Sequence, residues 1–171
     1  HIERGDIAFY LGCIEKVKKE ILKKNKINLV VHESNLPKGK GFSPVSWEIL
    51  QNKNKFSISL IDASEKVDSG DIFLFDEFSV KDTDLIDQIR KKQGYSTIKI
   101  CMKFLNSKSI LKGKKQSGKE SFFRRRTTKD SELDINKTIK EQINLLRIVD
   151  NKKYPAFFFY KGVKFILKIS K

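Results

Sequence analysis

The chain has 171 residues, of which 39% are apolar, a length and composition that suit one globular domain with a buried core. No apolar run approaches the roughly 20 residues that cross a bilayer, and the first residues do not resemble a signal peptide, so we expect a cytoplasmic protein that does not enter a membrane. The 36 Lys and Arg against 21 Asp and Glu give a net charge of +15, which favours polyanionic partners in general.

The two cysteines indicate neither a disulfide framework nor a zinc site. Cys13 and Cys101 are far apart in the chain, and neither belongs to a cluster with histidine. We therefore expect free thiols in a reducing compartment and no bound metal. Because the chain begins with His1 rather than methionine and enters a strand within a few residues, we also expect that further sequence precedes it.

The first elements in the chain have a βαβ pattern. Apolar strands are predicted at 6–11 and 27–31, and an amphipathic helix is predicted between them at 15–24. Since the connections are short, the two strands should run parallel. Ligands of parallel sheets collect at the carboxyl ends of the strands, which is where Gly12 and His32 lie.

Further elements alternate along the rest of the chain. They are a helix at 44–52, strands at 56–61 and 71–80, helices at 82–106 and 136–149, and a hairpin at 156–169. Ser43 before Pro44 is typical of a helix N-cap and first turn. Lys161 and Gly162 are typical of a hairpin turn.

A strongly basic stretch separates two parts of the chain. Residues 108–129 contain nine basic residues and one acidic residue. We interpret 108–130 as a solvated linker between a core at 1–107 and a small C-terminal helix and hairpin element at 131–171. Nucleic acid is the less favoured partner, because we find no helix-turn-helix, zinc-finger or RNP motif.

Four motifs carry a resemblance to a known family. In chain order they are "HESNLPKGKGFSPVSWEIL" from His32, "VDSGDI" from Val67, "RRRTTKDSELDINKTI" from Arg124 and "YPAFF" from Tyr154. Together they resemble the formyltransferase family that uses 10-formyltetrahydrofolate, over nearly the whole chain from Asp6. The ending is most similar to that of the sugar-nucleotide N-formyltransferases, in which an arginine-rich junction leads to a short helix and a small β-element.

This resemblance implies an α/β fold with a Rossmann-like formyltransferase sheet. The family has one more strand and helix before the segment that begins this chain, so we expect the N-terminal part of the sheet to be missing. Methionyl-tRNA formyltransferases continue into a C-terminal β-barrel domain, and we expect this chain to be too short for one. The expected C-terminal part is a small helix with a β-hairpin.

The resemblance also implies the site residues. His32 matches the family histidine, Ser34 the serine two residues later, and Asp68 the aspartate before a small residue and glycine. The family asparagine that holds the oxyanion is replaced by Val30. Asn28 lies on the same strand face, but at about 3.3 Å of rise per residue it is too far away to substitute for it.

On this basis we predict an N-formyltransferase that moves a formyl group from 10-formyltetrahydrofolate to the amine of a nucleotide-linked amino sugar. His32 would accept the proton, since histidine exchanges protons near neutral pH. Asp68 would orient its ring, and Ser34 would support it. The remaining implied contacts are Tyr10, Leu11, Gly12, Cys13, Val67 and Gly70 for folate and Lys38 and Arg125 for the sugar nucleotide.

Other interpretations stay open from the residues alone. A histidine at a strand end is more often structural than catalytic, and "VDSGD" is typical of an ordinary turn. The alternatives are a methionyl-tRNA formyltransferase-like enzyme, a non-catalytic basic module that binds polyanions, and a catalytically inactive relative. A homodimer is compatible with the sequence.

Overall fold

A computed structural model describes residues 3–13, 15–64, 66–107 and 112–171. The elements in chain order are β1 (Gly5–Tyr10), α1 (Lys19–Leu22), β2 (Asn25–His32), β3 (Lys40–Gly41), α2 (Pro44–Leu50), β4 (Lys55–Asp62), β5 (Ile72–Ser79), α3 (Ile86–Leu105), β6 (Phe122–Phe123), a 3-10 helix (Thr128–Ser131), α4 (Ile143–Ile148), β7 (Ala156–Tyr160) and β8 (Val163–Leu167).

The central sheet has four strands in the order β1-β2-β4-β5. β1 pairs with β2 in parallel, as the βαβ pattern predicts, whereas β4 runs antiparallel to both of its neighbours. The sheet is therefore mixed, and the α/β fold class is confirmed. The central strands β2 and β4 contribute fully buried side chains to the core, among them Leu29, Ile58 and Leu60.

The helix of the βαβ unit is much shorter than the predicted 15–24. Helix α1 covers only Lys19–Leu22 and buries none of its residues. Lys18 has an extended backbone, so the helix can begin only after it. Short helices are marginal unless an apolar face packs on a core, and the like charges of Lys19 and Lys23 at i and i+4 oppose helix extension.

Helix α3 covers the sheet on the side of β4 and β5. Its buried residues Ile100 and Cys101 pack with Leu29, Ile58 and other core residues of β2 and β4. Burial raises the pKa of the Cys101 thiol, while Cys13 is exposed, and both cysteines are free. Residues of α3 between Ile86 and Ile98 border a cavity.

The C-terminal element is attached to the core by a buried arginine. Arg147 of α4 is 2% exposed, and its guanidinium donates to the carbonyl oxygens of Lys81 at 2.7 Å and Asp84 at 3.2 Å and to Asn54 Oδ1 at 2.9 Å. Burial lowers the pKa of Arg147. Breaking these bonds would leave a buried charge unpaired, which is strongly unfavourable.

The predicted helix at 136–149 is shortened to α4. Upstream, the Gln142 amide accepts from the Asp134 backbone N–H at 2.7 Å and donates to the Asp134 carbonyl at 3.0 Å. Such side-chain bonds to the backbone compete with helix formation. The hairpin of β7 and β8 is confirmed, and both residues of its turn, Lys161 and Gly162, have positive φ.

The basic stretch differs from a free linker in the residues that the structure describes. β6 pairs in parallel with β3, and Lys114 exchanges two backbone hydrogen bonds with Ile72, at 2.8 and 2.9 Å. We call residues 112–123 the strap, because they cross the two loops that follow β2 and β4. The start of the predicted linker, 108–111, lies outside the described residues.

Candidate active site

A cavity of about 1040 Å³ lies at the carboxyl ends of β1 and β2. Its walls include the end of β1 and residues 15–17, the end of β2, residues 41–46, residues 61–64, the turn around Asp68, and one side of α3. Residues 125–127 and Tyr154 extend it toward the C-terminal element. Ligand pockets of proteins usually measure about 300–1,000 Å³, so this cavity lies at the upper end of that range.

His32 lies at the end of β2 and lines this cavity. Its Nε2 lies 2.8 Å from the carbonyl oxygen of Gly39. A carbonyl oxygen only accepts hydrogen bonds, so Nε2 carries the hydrogen. The other ring nitrogen, Nδ1, lies 3.5 Å from Asp68 Oδ1 and is therefore the atom that can take up a further proton.

Asp68 is held in place from the opposite side of its carboxylate. Asp68 Oδ2 accepts the backbone N–H of Gly41 at 2.8 Å, and the side chains of His32 and Asp68 are only 8% and 10% exposed. Gly41 has φ +95°, and a Cβ there would lie 2.3 Å from the Phe123 carbonyl oxygen. Only glycine fits at this position, so Gly41 is needed for the hydrogen bond that holds the carboxylate.

The residues predicted for folate fall into two groups. Tyr10, Leu11, Gly12, Cys13 and Val67 all line the cavity. Tyr10 is buried, donates to Asn28 Oδ1 at 2.9 Å, and has its pKa raised by burial, whereas Leu11, Gly12, Cys13 and Val67 are exposed. The end of β1 thus offers both a fixed aromatic ring and a chain segment open to a ligand.

Gly70 does not have the predicted position. It is absent from the cavity wall, and a Cβ at Gly70 would lie 1.8 Å from the carbonyl oxygen of Asp62. Its missing side chain therefore permits a close approach to the backbone of β4 rather than to a ligand. The close packing on Asp62 gives this glycine a structural reason, and its folate contact stays a prediction.

Ser34 and Lys38 also lie away from the cavity wall. The Ser34 hydroxyl is buried and has no hydrogen-bond partner among the described residues, so it does not support His32 directly. Lys38 is exposed. Two positions on, Lys40 is 1% exposed, and its Nζ donates to Glu120 at 2.6 Å and to Ser69 at 3.1 Å.

The arginine-rich junction reaches the cavity through two of its three arginines. Arg125 lies with its Cζ 4.3 Å from the centroid of the Phe42 ring, and both residues line the cavity. Arg126 also lines it, and burial lowers the pKa of Arg126. Its Nη2 donates to the Asp130 carbonyl at 2.9 Å, whereas its Nε is buried without a partner among the described residues.

An ion pair joins α3 to the C-terminal element at the far end of the cavity. Arg90 Nη1 lies 2.7 Å from Asp150 Oδ2. Backbone N–H groups of Lys153 and Lys152 and the Arg90 guanidinium lower the pKa of Asp150 to about 2. Tyr154 lies beside this pair and is half-exposed in the cavity wall.

Val30 occupies the family asparagine position on the cavity side of β2. It lines the cavity, and its side chain packs against Leu36, Ile61 and Ile72. The Asn28 amide is used elsewhere, since it accepts from Tyr10 and donates to the Leu22 carbonyl at 2.9 Å. No amide donor therefore takes the place of the family asparagine on this face of β2, all of which is described.

Sequence reasoning missed several residues that shape the site. Gly39 binds His32, Gly41 binds Asp68, and Lys40 reaches the turn that carries Asp68. The sequence does contain a recognisable feature at these positions, because two glycines flank a lysine shortly after His32. Gln116, which lies 48 residues beyond Asp68 and binds its carbonyl, had no local signal.

Two curated relatives match most of the chain. The bifunctional polymyxin resistance protein ArnA of Wigglesworthia glossinidia brevipalpis is 29% identical over 163 residues, which cover 92% of this chain and 24% of that protein. A methionyl-tRNA formyltransferase of Thermodesulfovibrio yellowstonii is 26% identical over 143 residues, which cover 82% of this chain and 46% of that protein. The chain thus spans about half or less of these relatives. No protein-family model matches it.

Several solved structures share the fold of this chain. A methionyl-tRNA formyltransferase from Clostridium thermocellum has a TM-score of 0.78 at 24% identity, over 91% of this chain and 68% of that one. The chain has the formyltransferase fold. HypX from Aquifex aeolicus in complex with tetrahydrofolic acid has a TM-score of 0.74 at 17% identity, over 95% and 28% of the two chains. A sugar N-formyltransferase from a Shewanella species has a TM-score of 0.74 at 16% identity, over 96% and 69%.

The resemblance predicted from the sequence is therefore confirmed at the level of the formyltransferases. In the part of the chain that the structure describes, none of the helices has the length and hydrophobicity that a membrane span needs. The described residues also include no group of three or more His, Cys, Asp or Glu side chains placed to hold a metal ion.

Proposed function

We propose that this chain carries the catalytic histidine and aspartate of an N-formyltransferase that uses 10-formyltetrahydrofolate and a nucleotide-linked amino sugar. The observation that supports this most directly is the approach of His32 Nδ1 to Asp68 Oδ1, at 3.5 Å, in the wall of one large cavity. An imidazole nitrogen beside a buried carboxylate is suited to take up and release a proton.

The proposed reaction moves one formyl group and one proton. The acceptor amine attacks the formyl carbon, and a tetrahedral oxyanion forms. When the new C–N bond forms, the amine nitrogen becomes positively charged and its proton becomes acidic. His32 Nδ1 takes this proton, and Asp68 stabilises the resulting imidazolium. The bond between the formyl carbon and N10 of the folate then breaks. N10 receives the proton, so that tetrahydrofolate and the N-formyl product leave with all atoms balanced.

The end of β1 is the proposed folate side of the cavity. Tyr10 presents a fixed ring there, and the segment of Leu11, Gly12 and Cys13 is open to the cavity beside it. Val67, next to Asp68 in the chain, is exposed and lines the same cavity. HypX, which shares the fold, is known in complex with tetrahydrofolic acid, and this supports folate as the formyl donor.

The arginine-rich junction is the proposed acceptor side. Arg125 and Arg126 line the cavity, and a guanidinium suits the phosphate oxygens of a nucleotide-linked sugar. The Arg126 Nε is a buried donor without a partner among the described residues, so a phosphate oxygen could accept from it. The shared fold of a sugar N-formyltransferase supports the same acceptor class.

His32→Gln tests the proposed reaction. Glutamine preserves a hydrogen-bond donor but cannot take up a proton near neutral pH, so formyl transfer should fall by about 100- to 10,000-fold while folding is retained. The assay is mass spectrometry of formylated products from a panel of nucleotide-linked amino sugars, with Ser117→Ala as the matched control. Retention of most of the activity by His32→Gln would contradict the proposed role.

A methionyl-tRNA formyltransferase-like function is the second candidate. It is favoured by the curated relative of that name and by the TM-score of 0.78 with the Clostridium thermocellum enzyme. The net charge of +15 suits tRNA as well as a sugar nucleotide. Methionyl-tRNA is therefore included among the acceptors, and formylation of it in preference to every amino sugar would replace the first proposal.

A further inference from the structure

The turn that carries Asp68 has a backbone conformation that must be held from outside. Asp68 has φ +49°, a left-handed conformation that is uncommon outside glycine, although Asp adopts it more readily than most residues. Such residues persist when their surroundings fix them, and they cluster at functional sites. Apart from His32, the partner of the Asp68 side chain among the described residues is the N–H of Gly41.

A second anchor comes from the strap. Gln116 Nε2 donates to the carbonyl oxygen of Asp68 at 2.8 Å and to that of Gly70 at 2.9 Å. One side-chain amide thus joins two carbonyls of the same turn and fixes the Asp68–Ser69 and Gly70–Asp71 peptide planes. Rotation of these planes would move the Asp68 carboxylate away from His32, so both hydrogen bonds oppose that rotation.

The strap is fixed by contacts on both sides of Gln116. Lys114 pairs with the start of β5 through two backbone hydrogen bonds, and Glu120 accepts from the buried Lys40 Nζ at 2.6 Å. Lys40 Nζ also donates to Ser69, in the middle of the same turn. Gln116 therefore reaches the turn from a segment that is tied down on both sides of it.

We propose that Gln116 is a positioning residue that keeps the Asp68 carboxylate against His32 Nδ1. The inference rests on the proposed function for its kinetic consequence, but its structural part concerns the turn alone. Gln116 does not line the cavity, so it acts through Asp68 and not on a substrate. No signal in the basic stretch of the sequence indicates this role.

The kinetic test is Gln116→Leu, which preserves approximate size and removes the donor. Small displacements of catalytic groups can lower a reaction rate by up to about 100-fold. We therefore expect kcat for formyl transfer to fall by about 10- to 100-fold. KM for both substrates should stay within about twofold, because Gln116 contacts neither. The matched control is Ser117→Ala, an exposed neighbour on the strap, which should retain full activity. An increase in KM with unchanged kcat would overturn the proposal.

A double mutant separates positioning from a general loss of structure. If Gln116 acts through Asp68, then Gln116→Leu introduced into Asp68→Asn should reduce kcat by less than about twofold further, because the carboxylate that it positions is already gone. Fully multiplicative losses of the two substitutions would show that Gln116 acts by another route and would overturn the proposal.

Amide hydrogen exchange tests the structural part without any activity. Gly41 N–H is protected by Asp68 Oδ2, whereas the next amide, Phe42 N–H, is protected by the Phe123 carbonyl at 3.0 Å. We expect Gln116→Leu to accelerate exchange at Gly41 by at least about tenfold and to leave Phe42 unchanged. Equal acceleration at both amides, or none at Gly41, would overturn the proposal. If the unsubstituted chain transfers no formyl group but Gly41 responds as expected, the proposed function fails and the positioning of Asp68 stands.

Discussion

Asp68→Asn is the most informative substitution in the candidate site, because it removes a charge with little change of shape. In the substituted side chain, the amide oxygen can still accept the Gly41 N–H that Asp68 Oδ2 accepts at 2.8 Å. The amide nitrogen then replaces Oδ1 and faces His32 Nδ1. It donates to the ring nitrogen that should take up the proton, so the substitution both removes the stabilising charge and blocks the basic atom.

The distance sets the expected size of the effect. At 3.5 Å and an effective dielectric constant of about 20, the attraction between an imidazolium and a carboxylate is roughly 5 kcal/mol. Burial of the two charges opposes this attraction, so it is an upper limit. We therefore expect kcat to fall by about 100- to 1,000-fold, with folate affinity unchanged because Asp68 is not part of the β1 segment proposed to bind folate.

The assay follows formylated product by mass spectrometry and folate affinity by calorimetry. Asp71→Asn is the matched control, since it removes the same charge three residues further along, where the side chain does not contact His32. If Asp68→Asn retains more than half of the kcat of Asp71→Asn, the carboxylate is an ordinary turn residue and the reasoning is wrong.

Three further predictions concern the cavity and its surroundings. Val30→Asn should raise kcat by at least about tenfold, because one oxyanion donor is worth about 100- to 1,000-fold; an unchanged kcat in the product assay would contradict this. Gly94→Ala should raise the free energy of unfolding by about 1 kcal/mol, seen as a higher melting temperature, since nothing lies within 4 Å of the added Cβ. Asp150 has its pKa lowered from 3.8 to about 2, so its contribution to the free energy of unfolding is present above pH 4 and is lost as the pH falls toward 2. The free energy of unfolding, measured by urea titration, should therefore decrease less between pH 5 and pH 3 in Asp150→Asn than in the unsubstituted protein. An equal decrease in both proteins would refute this prediction.

The hydrophobic periodicity of the sequence predicted most helices and strands, but it failed for features that depend on contacts between distant parts of the chain. The strands at 56–61 and 71–80 differ by one residue at each end from β4 (Lys55–Asp62) and β5 (Ile72–Ser79). Ser43 does precede α2, but its backbone is left-handed and its hydroxyl makes no capping bond, since the chain turns sharply there. The antiparallel direction of β4 depends on the path of the intervening loop, which no local pattern specifies.

Only the site residues that lie within short, continuous sequence motifs could be predicted. His32 and Asp68 were found because each lies in a short recognisable stretch, and the structure brings them together in one cavity wall. Their catalytic roles stay a prediction. Lys38 and Gly70 were assigned from the same motifs, but a motif does not say which neighbour faces the cavity. Lys38 is exposed and does not line the cavity, whereas Lys40, two residues on, is buried against Glu120 and Ser69.

The strap shows why composition is a poor guide to function in a basic segment. Its lysines repel one another, and Lys112, Lys115 and Lys119 are all exposed, as a solvated stretch requires. Two uncharged side chains of the strap, Gln116 and Ser121, hydrogen-bond to the backbone of the neighbouring loops. Ser121 Oγ accepts the N–H of Gly39, which in turn binds His32, while Gln116 holds the turn of Asp68. The two halves of the candidate catalytic pair are thus connected through residues that contribute nothing to the net charge. In a segment of this kind, the polar residues without charge are the ones to examine for contacts with a site.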